Sequence, residues 1–269
     1  MRSGYQTSPW LALLCICAAR ASAQDSVPWP AQNQLEVTVE TGATILPDDT
    51  VRLTYVITNA PTSQQAAAHF VVRTYVTQYR LGAPAHWVSS SGTVQDSAAA
   101  LWGAVFGQPE VQPGKSQGGF SFIARGLPEI VPYRVQGYSP PPTYDDTKPW
   151  VFKKAPSIWT NSVRGFTVGI APLPGNLHAA QLAQRLTDLG SESCELGWIR
   201  QQGVCTSLRA KFDSARQAVE GNNTDVAIGE LRDALAELEA QHGSEPGKHV
   251  SDSGYWLLRI NAEYLLKRL

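Results

Sequence analysis

Gly114-Lys115-Ser116-Gln117-Gly118 has the G-x-S-x-G spacing that, in one class of hydrolases, presents a nucleophilic serine at a strand-to-helix turn. Here the order is reversed. Pro113-Gly114 reads as a turn, and a strand-like run follows the serine. The same Gly-Lys-Ser is not a phosphate loop, because the required upstream glycine falls on Pro109 and no helix pattern follows. Two acidic pairs, Asp48-Asp49 and Asp145-Asp146, have the ligand type that binds calcium together with backbone carbonyls. Turn chemistry accounts for Asp48-Asp49. Asp145 and Asp146 stand as the candidate metal ligands. A glycosidase-type acid and base need a shared cleft, which a sequence does not show. The five histidines, His69, His86, His178, His242 and His249, are scattered without metal-ligand spacing. No motif calls for a cofactor.

The run SPPPTYDDTKPWVFKKAPSIWT, residues 139–160, carries five prolines and no clean period. Long loops of this kind in compact domains are often functional. Its aromatics Tyr144, Trp150, Phe152 and Trp159 are the candidate ligand-binding residues, able to stack on sugar rings or to anchor a protein partner. The alternative is that they only pin the loop to its own domain.

The chain has 269 residues. Arg2, the apolar stretch from Trp10 to Ala19 and the small-x-small run Ala21-Ser22-Ala23 read as an export leader over residues 1–23. That apolar stretch is too short to span a bilayer, and no transmembrane segment is expected in the mature chain. Losing Arg2 and Arg20 moves the net charge from −1 to −3. Nucleic acid needs a clustered positive field, so it is excluded as a partner. Cys15 and Cys17 leave with the leader. Cys194 and Cys205 remain and, in an oxidising compartment, are expected to form a disulfide. The chain-entropy account gives such a bridge about 2–3 kcal/mol.

Two kinds of periodicity divide the chain. From Gln34 it alternates. Leu35, Val37 and Val39 oppose Glu36, Thr38 and Glu40, and Val51, Leu53, Tyr55 and Ile57 oppose Arg52, Thr54 and Thr58. Further strands are expected at 70–79, 85–89, 98–106, 120–124, 130–137 and 166–170. Seven or eight strands without intervening helices argue for an antiparallel β-sandwich over residues 34–172. Pro172-Leu173-Pro174-Gly175 suggests a boundary, with a linker at 173–176. After it the period is helical. Leu182, Ala183, Leu186 and Leu189 mark one helix. Leu208, Phe212, Ala215 and Val219 mark a second, and Ala227, Leu231, Ala234, Leu235 and Leu238 a third. Gly221 fits the C′ position between the last two, and Asn223 or Thr224 can cap the third. A final helix from near Ser251 buries Leu258, Ala262, Leu265 and Leu269. Residues 177–269 thus read as a small α-helical bundle.

The core SLRAKFDSARQAVEGNNTDVAIGELRDALAELEAQHG, the leading LHAAQLAQRLTDLG helix and the closing leucine-rich helix resemble the FIMAH domain, a helical module at the ends of secreted bacterial proteins. The Cys194–Cys205 pair and the insertion Ser244-Glu245-Pro246-Gly247 depart from that pattern. The resemblance implies an accessory, interaction-mediating module without catalytic residues. LTYVITN (Leu53–Asn59) and PGKSQGGFSF (Pro113–Phe122) are similar to strands of immunoglobulin-like domains of bacterial surface proteins. The expectation is a secreted protein, extracellular or periplasmic, that is not an enzyme and mediates adhesion or assembly through an unidentified protein or polysaccharide partner at the cell envelope. Two alternatives stay open: a carbohydrate-binding accessory protein that uses the 139–160 aromatics, and a hydrolase of unrecognised type.

Overall fold

A computed structural model describes residues 33–48, 50–94, 97–105, 110–138, 157–173, 175 and 178–269. The leader and Tyr144, Asp145, Asp146, Trp150 and Phe152 lie outside the described residues. Among the described residues, nine strands form two antiparallel sheets. The first has the order β1 (Val37–Ile45), β2 (Thr50–Asn59), β7 (Ser116–Arg125), β4 (Tyr79–Gly82). The second runs β5 (Trp87–Val94), β6 (Ser97–Ala104), β3 (Ala67–Arg73), β8 (Leu127–Gly137), β9 (Val163–Ala171).

The alternation in β2 shows why these segments are strands. Val51, Leu53, Tyr55 and Ile57 are all buried, while Arg52, Thr54, Val56 and Thr58 point to solvent. A period of two puts one set against the opposing sheet. Between the sheets lies an aromatic core. Phe70 stacks on Trp102, and Tyr55 and Phe120 meet both edge-on. The expected single strand at 70–79 is instead two strands in different sheets. β3 pairs with β6 and β8, whereas β4 pairs with β7. Thr74 makes the crossing, its hydroxyl accepting from the Val76 N–H at 3.2 Å. β-Propensity over FVVRTYVTQY does not register such a local side-chain bond.

Four helices follow: α1 (Ala179–Glu195), α2 (Gln202–Glu220), α3 (Thr224–Gln241) and α4 (Asp252–Leu266). Cys194 and Cys205 are bonded, with Cα atoms 5.9 Å apart, tying the end of α1 to the start of α2. Asn223 caps α3 and Ser251 caps α4. Between α2 and α3 the left-handed position falls on Asn222, φ 55°, and not on Gly221, which stays at φ −82°. Asparagine tolerates that conformation better than other residues with a Cβ.

The packing crosses the boundary expected at 173–176. α4 lies against β1, β8 and β9 as well as against α1 and α3, and one hydrophobic cluster runs through both sheets and all four helices. Polar contacts help fix the seam. Thr41 N–H donates to Ser253 Oγ at 3.0 Å, Asn261 Nδ2 to the Pro128 carbonyl at 3.0 Å, and Arg185 pairs with Glu129. Asn261 is buried, so its amide meets the requirement that buried polar groups be bonded.

Glu40 sits at the same seam, at the N-terminus of α4. Burial raises its carboxyl above the usual range, and Asp252 adds to this. Hydrogen bonds from Ser253 and the charge of Arg200 pull the other way. A carboxyl that holds its proton more tightly in the folded than in the unfolded chain makes stability fall as pH rises through the interval between the two pKa values. Glu40→Gln is therefore expected to match the parent near pH 4 or below, and to exceed it in stability as pH rises from about 4 toward neutrality. Urea midpoints across that range check this. A difference between parent and variant that stays constant with pH would remove Glu40 from the account.

Candidate binding face

Register arithmetic places a set of side chains on the outward side of the five-stranded sheet. Residues directly opposite one another across antiparallel strands share a face. One row therefore runs Val88, Gly103, His69, Gln136. The next runs Ser90, Leu101, Val71, Arg134, Arg164, and a third runs Ala99, Arg73, then Pro132 beside Phe166. The opposite faces of β3 and β6 bury Phe70, Val72, Ala100 and Trp102 in the core, so these rows point away from it.

The turn at 157–160 brings Ile158 and Trp159 onto this face. Trp159 borders a depression of about 90 Å³ lined by Val71, Arg73, Ala99 and Arg134. Ile158 borders a second, of about 360 Å³, with His69, Val71, Val88, Ser90 and Leu101. Val71 belongs to both, so the two hollows share a wall. Gly103 makes room for the His69 ring, since a Cβ there would come within 3.2 Å of Cδ2. Burial lowers the His69 pKa, so the ring is neutral at neutral pH.

The Arg134 guanidinium stands 5.4 Å from the centre of the Trp159 ring. Its Nη1 donates to the Trp159 carbonyl at 3.0 Å and to Ser162 Oγ at 3.3 Å. Arg164 Nη2 reaches the same carbonyl at 3.4 Å. Burial, then the neighbouring Arg164 charge, lowers the Arg134 pKa. Phe166 is 51% exposed, and the Trp159 ring is half-buried. The face thus combines two accessible aromatics, aliphatic floor residues and concentrated positive charge. It can hold a ligand that has both apolar ring faces and hydrogen-bonding or anionic groups.

Of the four aromatic candidates from the sequence, Trp159 alone is among the described residues, and it stands at this face. Asp48 occupies a tight turn with φ 62°. Ser116 begins β7 and bonds Thr58 across the ladder at 2.8 Å. Among the described residues, no three of His, Cys, Asp or Glu cluster to hold a metal. No described helix is long and apolar enough to cross a membrane. Sequence reasoning missed Arg134, Arg164, His69 and Phe166. Their alternate spacing within HFVVR, IVPYRVQG and VRGF was the available signal, but the strand order that joins them was not in it.

No protein-family model matches the chain, and no curated protein matches it. Solved structures do. One is an uncharacterized protein from Nocardia farcinica described as having an immunoglobulin-like fold. It is 20% identical, with a TM-score of 0.30, over 41% of this chain and 90% of that one. Another is described as the unique CBM3- of Hungateiclostridium clariflavum, at 10% identity and a TM-score of 0.27, over 34% of this chain and 72% of that one. Each likeness spans less than half of the present chain.

Proposed function

We propose that this is a secreted, non-catalytic binding protein of the cell surface or extracellular matrix. Its working surface is the outward face of the five-stranded sheet, and its ligand is a polysaccharide. One observation carries the reading: Trp159 stands half-exposed on that face, which also presents the exposed Phe166, and borders a hollow lined by Val71 and Ala99. Flat aromatic faces beside hydrogen-bonding groups suit sugar rings. The Cys194–Cys205 bond supports an oxidising compartment. The ladder bond of Ser116 supports the absence of a serine nucleophile there. In this proposal the C-terminal helices are a FIMAH-like accessory unit. Their docking through α4 makes them a fixed support for adhesion or assembly, and not a mobile arm.

The test is a pull-down of the mature chain against insoluble polysaccharides and cell-envelope fractions, with Trp159→Ala run beside it. Retention on a glycan that falls by about tenfold or more in the variant, with an unchanged circular dichroism spectrum, is the expected result. Undiminished retention of Trp159→Ala would move the site off this face. Release of soluble sugar from the retained glycan would make the protein an enzyme.

A further inference from the structure

We infer that this face selects a carboxylate-bearing polysaccharide, a polyuronate, with its carboxylates received by Arg134 and Arg164 and its sugar rings set against Trp159 and Phe166. The inference rests on the glycan-binding reading above and names the class of glycan. Arg134 and Arg164 are direct cross-strand partners. Like charges in that position destabilise a sheet. Both donate an N–H to a single neutral carbonyl, that of Trp159, which does not offset their charge. Among the described residues neither forms an ion pair with a carboxylate. A guanidinium offers five donors in a planar fork, and the fork matches a carboxylate bidentately. The Arg134 Nη1 and Arg164 Nη2 contacts leave nitrogens on both groups for such a partner.

An anion meeting this pair would relieve the repulsion between the two guanidinium groups. The two hollows that share Val71 both border β8, the strand of Arg134, and extend the face along the sheet. Approach is from the face of the sheet, where backbone groups are already bonded to neighbouring strands. An extended acidic peptide would gain no ladder bonds there, whereas a pyranose ring gains aromatic contact.

The experiment is affinity electrophoresis of the full mature chain in gels holding polygalacturonate, its fully methyl-esterified form, dextran or poly-glutamate. Arg164→Gln is run alongside; Arg164 is exposed, so the fold tolerates the change. The expected result is retardation by polygalacturonate alone, weakened by added salt, and a dissociation constant raised about tenfold in Arg164→Gln. Equal retardation by the methyl ester, or by dextran, would overturn the charge selection and leave glycan binding standing. Equal retardation by poly-glutamate, weakened in the same way by Arg164→Gln, would replace the glycan with an acidic peptide. Retardation by polygalacturonate that Arg164→Gln does not change would overturn the arginine assignment. No retardation by polygalacturonate overturns the inference. If the insoluble-glycan pull-down is also empty, the glycan reading falls with it.

Discussion

Trp102→Ala is expected to lower the unfolding free energy by about 3–5 kcal/mol, the largest loss available from a single side chain in the sandwich. Trp102 lies on β6, is 1% exposed and is among the largest fully buried residues. Its ring stacks on Phe70 at 5.2 Å between centroids, and Tyr55 and Phe120 meet it edge-on at 5.8 and 6.0 Å. Truncation removes the ring's burial and leaves a cavity that the two sheets cannot close without breaking those pairs. The indole N–H also donates to the Gly82 carbonyl at 2.8 Å, joining β6 of one sheet to β4 of the other. Trp102→Phe separates the two contributions. It keeps an aromatic ring in place and leaves the Gly82 carbonyl without that partner, at about 1–3 kcal/mol. Urea denaturation with both variants checks the ranking. A loss below about 1 kcal/mol for Trp102→Ala would mean that the aromatic cluster is not what holds the sheets together.

Trp102 also shows what the sequence could convey. ALWGAV reads as a strand with a core tryptophan because alternation and residue type are local properties. The helical half was legible for the same reason. Leu208, Phe212 and Ala215 fall on one face, and the structure buries all three. Strand order is not local. Nothing within VRGF says that Arg164 will stand opposite Arg134, so the charge pair at the centre of the candidate site appears only once β8 and β9 are paired. Of the aromatic loop, Trp159 stands at the candidate face, and its partners there come from β3, β6 and β8. The seam was hidden for another reason. Ser253 and Asn261 look like ordinary polar positions on a helix, and their burial follows from the sandwich surface that receives them.

That surface makes α4 the element that packs against both the sandwich and the other helices. Ser253, Leu257 and Asn261 recur at four-residue spacing, which sets them on one stripe of the helix. The first and last of them bond to β1 and β8. Leu257 lies between them and is fully buried. The other stripe, Leu258, Ala262 and Leu265, is also fully buried, and α4 packs against α1 and α3 as well. A helix buried on two sides cannot leave one partner without exposing apolar surface toward the other. Leu257→Ala is expected to cost about 2–5 kcal/mol, and to lower the melting of sandwich and helices together. Amide hydrogen exchange in β2 and β7, followed through the same transition, reports the sandwich, and the far-ultraviolet helical signal follows α1 to α4. Coincident transitions in parent and variant, displaced by the same amount, are the result a shared core requires. If the helical signal alone shifts while the sandwich signal stays in place, the two parts fold independently. The expected boundary at 173–176 would then be a true domain boundary, and α4 only a lid resting on β1 and β8.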